Sequence, residues 1–292
     1  MQSKGRALGE DHGLLTSTVM SLSAASLLLI GLTAAIGVAA EQGPAYYFAS
    51  LGLAGLIAIF VFAFLPERLP NDRFGPANFV TLLRGFFVCV LAGAIGMGPV
   101  SDAVAWSLFT IAAVSLLLDG LDGPLARRRG EATAFGARFD IEVDSLFILV
   151  LALLVFDLGK AGAWILLAGG LRYVFVAAGL VWPWLMASLP DSRRRKAVFA
   201  LQALALVAAT APLVPADTAG PLVGAGLLAL SVSFAKDVLW LHRSRAKGEC
   251  GRELPVARRS ARSAPRSMTH STSSAHPSRR ALTGPPQDEV DL

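Results

Sequence analysis

The segment "LLLDGLDGPLARRRGEATAFGARFDIEVDS", residues 116–145, sets four aspartates beside long apolar runs: Asp119, Asp122, Asp140 and Asp144. The first two are three residues apart and the last two four apart, so on helices each pair shares one face. A short basic connection over residues 123–138 joins the pairs and turns the chain, which lets the two faces meet as an antiparallel hairpin. Converging carboxylates need a counter-charge. One ionised Asp at a bilayer centre costs about 2.5–3.5 kcal/mol on insertion scales, and mutual repulsion adds to that. Hard divalent cations on carboxylate oxygens are the usual solution, with Mg²⁺ keeping positions open for water and phosphate. Two such ions roughly 3.5–4 Å apart would clamp a diphosphate and stabilise charge on a leaving phosphate. Gly120, Gly123 and Gly136 would let a nucleotide approach the backbone. A single Asp here reads more simply as an interfacial helix end with arginine counter-charge, but four at spacings of three, eighteen and four favour a site.

The elements that must position these residues are membrane spans. Of the 292 residues, 54% are hydrophobic and 16% charged, and the mean hydropathy is +0.58, far from a soluble domain of this length. Stretches of about 20 mostly apolar residues give eight expected spans: 20–40, 46–66, 78–98, 102–118, 141–157, 162–186, 197–214 and 219–241. The predicted fold class is all-α, a polytopic membrane helix bundle. Lys and Arg gather in alternate loops, Lys160 excepted, which predicts a multi-pass protein with both termini and the aspartates on the cytoplasmic side. The net charge of +5 lies in those loops and the C-terminus, so a nucleic-acid partner is not expected. The polar leader before the first span carries Glu10 and Asp11, which argues against a cleaved signal. Residues 248–292, rich in Ser, Pro and Arg without apolar period, read as a disordered basic tail. Cys89 and Cys250 form no framework.

The pattern Asp119-x-x-Asp122-Gly123-x-x-Ala126-Arg127, then eight residues, then Gly136-x-x-x-Asp140-x-x-x-Asp144 resembles the signature of the CDP-alcohol phosphatidyltransferase family, membrane enzymes of phospholipid synthesis. Upstream, "GPANFVTLLRG" looks like the family's first core helix, with Asn78, Thr81 and Arg84 three apart on one face. The resemblance divides the chain into a cytoplasmic leader 1–19, two additional helices within 20–75, a six-helix catalytic core 76–247 and the tail. It implies a transferase of substituted phosphate groups that moves a phosphatidyl group from CDP-diacylglycerol to a small alcohol and releases CMP. It further implies that Asp119, Asp122 and Asp140 bind Mg²⁺ or Mn²⁺, two ions in all, together with CDP. Asp144 both touches metal and acts as general base. Gly123, Ala126, Arg127, Gly136, Asn78 and Thr81 fall at CDP-binding positions, and the family is expected to be homodimeric in a bacterial plasma membrane.

The chain departs from the pattern in its two additional spans and in Glu142, which at two residues from Asp140 points away from the aspartate face. Arg172, near the middle of the sixth span, and Lys196 are expected either to meet a phosphorylated acceptor, such as glycerol 3-phosphate or an inositol phosphate, or, for Arg172, to partner a buried carboxylate. Arg193–Arg195 read as positive-inside anchors, and Asp237 and His242 as interfacial. A soluble CDP-alcohol donor with a lipid acceptor satisfies the same carboxylates. From other classes, an ion-coupled transporter lacks its paired broken helices, and a silent scaffold would not need all four aspartates.

Overall fold

The computed structural model describes residues 2–66, 69, 73–129, 133–187 and 192–246, with side chains described for all of these except 2–12, 121–129, 186 and 246. The tail expected to be disordered lies outside the described residues. Eight α-helices and no strand occur among the described residues: α1 (Gln2–Ala39), α2 (Pro44–Phe64), α3 (Pro76–Gly93), α4 (Asp102–Arg129), α5 (Ala134–Asp157), α6 (Leu166–Val181), α7 (Arg193–Thr210) and α8 (Ala216–Ala246). Each of the eight expected spans meets one helix, and the chain is a polytopic helix bundle.

Six stretches are long and apolar enough to cross a membrane: Gly13–Ala39, Pro44–Phe64, Pro76–Gly93, Asp102–Gly120, Ala163–Val181 and Ala216–Arg245. Helices α5 and α7 fall short because α5 carries Asp140, Glu142 and Asp144 in its first half and α7 opens on Arg193–Lys196. Their apolar remainders instead pack inside the bundle. Leu151, Ala152 and Val155 of α5 and Leu206 and Ala209 of α7 are fully buried. α3 is the other inner helix, with 72% of its span buried, against 22% for α2, whose exposed Leu56 and Ile59 suit contact with lipid chains.

Two boundaries differ from the sequence expectation. The stretch expected as a polar leader is largely the first part of α1: Leu14 and Thr18 are buried, and the Phe74 amide donates to Ser17 Oγ at 3.0 Å. α4 continues through Arg129, so much of the expected connection is helix and only residues 130–133 separate it from α5. Ala, Leu and Arg in "GPLARRR" are good helix formers, and basic residues are favourable at a helix C-terminus.

Local signals set the starts of the helices that hold the site. α3 begins with Pro76 at its first position, after Gly75 at φ +77°, a left-handed conformation that glycine adopts without a Cβ penalty. α5 begins at Thr133, whose side chain accepts a hydrogen bond from the Gly136 amide at 3.0 Å and so satisfies one donor of its first turn.

Candidate active site

Only residues 130–133 separate α4 from α5, and α3 packs against both helices. Asp119 from α4 and Asp140 and Asp144 from α5 present carboxylate oxygens that all lie within 4.8 Å of one another. The three side chains are 21–35% exposed, so the cluster is open on one side. Asp122 continues α4 one turn beyond Asp119, but its side chain lies outside those described, as do those of Ala126 and Arg127; Gly123 belongs to the same stretch.

Among the described residues, the cation that meets this cluster is Arg84 of α3. Its side chain is 1% exposed, and its guanidinium reaches all three aspartates: Nη2 lies 2.7 Å from Asp119 Oδ1 and 2.6 Å from Asp144 Oδ1, and Nη1 lies 2.9 Å from Asp140 Oδ1. Nε donates to the Ser115 carbonyl at 3.3 Å, which fixes the plane of the fork. Among the described residues one guanidinium faces three carboxylates. Hard oxygen donors this close fit a divalent cation. The sequence places Arg84 on the face of Asn78 and Thr81 but does not identify it as the partner of the aspartates. The signal was there: a lone arginine inside an otherwise apolar helix requires a carboxylate.

One turn toward the helix ends, α3 and α5 touch where Gly136 faces Asn78. A Cβ at Gly136 would sit 2.7 Å from Asn78 Oδ1 and 3.2 Å from Thr133 Oγ1, so only glycine lets the two helices come this close. Asn78 Nδ2 donates to the Phe74 carbonyl and Thr81 Oγ1 to the Ala77 carbonyl, and both side chains are buried. A Cβ at Gly120 meets no atom of the described residues within 4 Å.

The remaining expected residues lie apart from this cluster. Arg172 Nη2 donates to Glu142 Oε1, joining α6 to the face of α5 that carries neither Asp140 nor Asp144. Lys196 is exposed in the first turn of α7. Arg194 is more than an anchor: it pairs with Asp237 at 2.7 Å and donates to the Ser233 carbonyl, tying α7 to α8. His242 stacks edge-on to Trp184.

A profile of the family described as CDP-alcohol phosphatidyltransferase matches residues 74–235, more than half of the chain and all of α3 to α7. Comparison with curated proteins and with solved structures returns no match. Members of the family typically use a divalent metal, and the Asp119, Asp140 and Asp144 set offers the oxygens for one. With six membrane-length helices and this match, the chain is an integral membrane protein and belongs to the CDP-alcohol phosphatidyltransferase family, whose transferases act on CDP-alcohols in phospholipid synthesis.

Proposed function

We propose that the chain transfers a phosphatidyl group from CDP-diacylglycerol to a small polar alcohol, releasing CMP, at the cytoplasmic face of a bacterial plasma membrane. The observation that carries the reading is the convergence of Asp119 of α4 with Asp140 and Asp144 of α5. Asp119, Asp122, Asp140 and Asp144 hold Mg²⁺ or Mn²⁺, two ions in this reading, and the metal when bound neutralises the diphosphate and the CMP that leaves.

The chain's own residues supply the rest. Asn78, Thr81, Gly123, Ala126, Arg127 and Gly136 form the bed for CDP, with Gly136 and Asn78 already in contact. Arg84 holds Asp144 through Oδ1, and Oδ2 is the oxygen assigned to the acceptor hydroxyl. The acceptor oxygen attacks the phosphatidyl phosphorus, its proton passes to Asp144, and the bond from that phosphorus to the CMP oxygen breaks. The six-helix core 76–247 contains all of these residues, and the reading takes it as a homodimer.

The test is metal-dependent CMP release by purified protein in detergent from CDP-diacylglycerol, with glycerol 3-phosphate, inositol phosphate and unphosphorylated alcohols as acceptors. Asp144→Asn is expected to lower the rate about 10²–10⁴-fold, the usual contribution of a positioned base. Release by wild type from a soluble CDP-alcohol and diacylglycerol, but never from CDP-diacylglycerol, would overturn the donor assignment.

A further inference from the structure

α2 precedes the segment that matches the family profile, yet its side chains reach the helix that carries two of the aspartates: the Phe60 and Phe139 rings lie 6.1 Å apart, and Arg138 covers Phe64. Two cavities lie in the seam between α2 and α5 and share Phe60. The larger, about 410 Å³, is at the end of α2, between Phe60 and Phe64 on one side and Phe135 and Arg138 on the other. The smaller, about 190 Å³, continues inward between Leu53 and Leu56 of α2 and Phe139 and Leu146 of α5.

α5 therefore presents two stripes. Gly136, Asp140 and Asp144 face α3 and α4, whereas Phe135, Arg138, Phe139, Glu142 and Leu146 line the seam. The seam is mostly apolar: its polar lining is Glu142, whose charge Arg172 compensates, the hydroxyls of Thr133 and Tyr173, and Arg138 at its outer end. From Phe64 to Leu53 it runs eleven residues of α2. At 1.5 Å per residue that is about 16 Å, close to half of a hydrocarbon core of ~30 Å, or one leaflet. A helix ~10 Å across would fill roughly 1,200 Å³ over that length, so the cavities are too small for a helix from a partner protein. They suit a flexible acyl chain.

Arg138 is exposed, and its guanidinium lies 4.5 Å from the centroid of the Phe64 ring. Among the described residues Arg84, Arg172 and Arg194 each engage a carboxylate, and none is found in an ion pair with Arg138. A cation at the mouth of an apolar slot of one-leaflet depth complements a molecule with a phosphate at one end and an acyl chain at the other.

We propose that the α2–α5 seam is a binding site for one anionic diacyl phospholipid, its headgroup phosphate on Arg138 and one acyl chain between Phe60 and Phe139. The site is separate from the aspartate cluster and stands whichever donor the enzyme uses. It gives the additional helix a role, because a lipid seated there links α2 to the helix that carries Asp140 and Asp144.

The test is native mass spectrometry of delipidated full-length protein titrated with phosphatidylglycerol or with phosphatidylcholine of the same chains. Wild type is expected to retain one phosphatidylglycerol with about five-fold preference, the amount one basic residue contributes near a membrane surface. Arg138→Gln should retain both lipids alike, while Arg138→Lys keeps the preference. Leu56→Trp, which narrows the seam, should reduce retention of both, with thermal unfolding confirming that the variant folds. Equal retention of the two lipids by wild type, or an unchanged preference in Arg138→Gln, overturns the proposal.

Discussion

Arg84 Nη2 lies 2.6 Å from Asp144 Oδ1 and 2.7 Å from Asp119 Oδ1, so a single nitrogen of α3 bridges α4 and α5. A third contact, from Nη1 to Asp140, makes this buried arginine the common partner of every described carboxylate in the cluster.

Removing the arginine leaves three carboxylates facing one another. Arg84→Gln is expected to cost about 3 kcal/mol, the low end for breaking a buried ion pair, because the aspartates retain partial solvent contact. Thermal unfolding in detergent measures it. Mn²⁺ should restore more stability to the variant than to wild type, and equal melting of the two proteins in chelator would remove Arg84 from its role as counter-ion.

Gly136 is the contact point of α3 and α5. Gly136→Ala places a methyl 2.7 Å from Asn78 Oδ1, and the overpacking is expected to cost about 1–3 kcal/mol. Since Asn78 is assigned to the CDP bed, the KM for the donor should rise while the acceptor KM changes little. Steady-state kinetics with each substrate varied in turn decides this.

Glu142 and Arg172 form a pair in which each side chain is about a third exposed. A double-mutant cycle with Glu142→Gln and Arg172→Gln should give a coupling of about 0.5–1 kcal/mol. With the guanidinium engaged by Glu142, Arg172→Gln should leave the acceptor KM within about two-fold. A large rise confined to phosphorylated acceptors would instead assign Arg172 to the acceptor phosphate.

Lys160, in the turn after α5, donates from Nζ to the Ala211 carbonyl at 2.6 Å, and burial lowers its pKa from the usual 10.5. The folded state therefore binds this proton less tightly than the unfolded state. The resulting penalty is fully present below the folded pKa and is relieved as pH rises toward 10.5, so stability should increase through that alkaline window. Chemical denaturation at a series of pH values should show this slope in wild type and a shallower one in Lys160→Met.

The aspartate cluster was legible because a spacing of four fixes one helical face independently of neighbours, and Asp140 and Asp144 do share a face that meets Asp119. Helix positions were legible from apolar runs. What hydropathy does not carry is which helices lie inside: α5 and α7 each gather charged residues toward one end, yet their apolar remainders pack within the bundle, since charge at one end of a helix does not change the face it buries. Arg84 was seen as one residue of a face and not as a partner, because its contacts are with residues 31 to 60 positions away. The α2–α5 seam likewise joins segments with no shared local pattern.

The cluster's first cation belongs to the chain itself, and this bears on biogenesis. Arg84 precedes the aspartates in the chain, so the first core helix carries it ahead of α4 and α5 during synthesis. The carboxylates therefore meet a resident positive charge as the bundle closes. Closure of the bundle in the bilayer then need not wait for a metal ion.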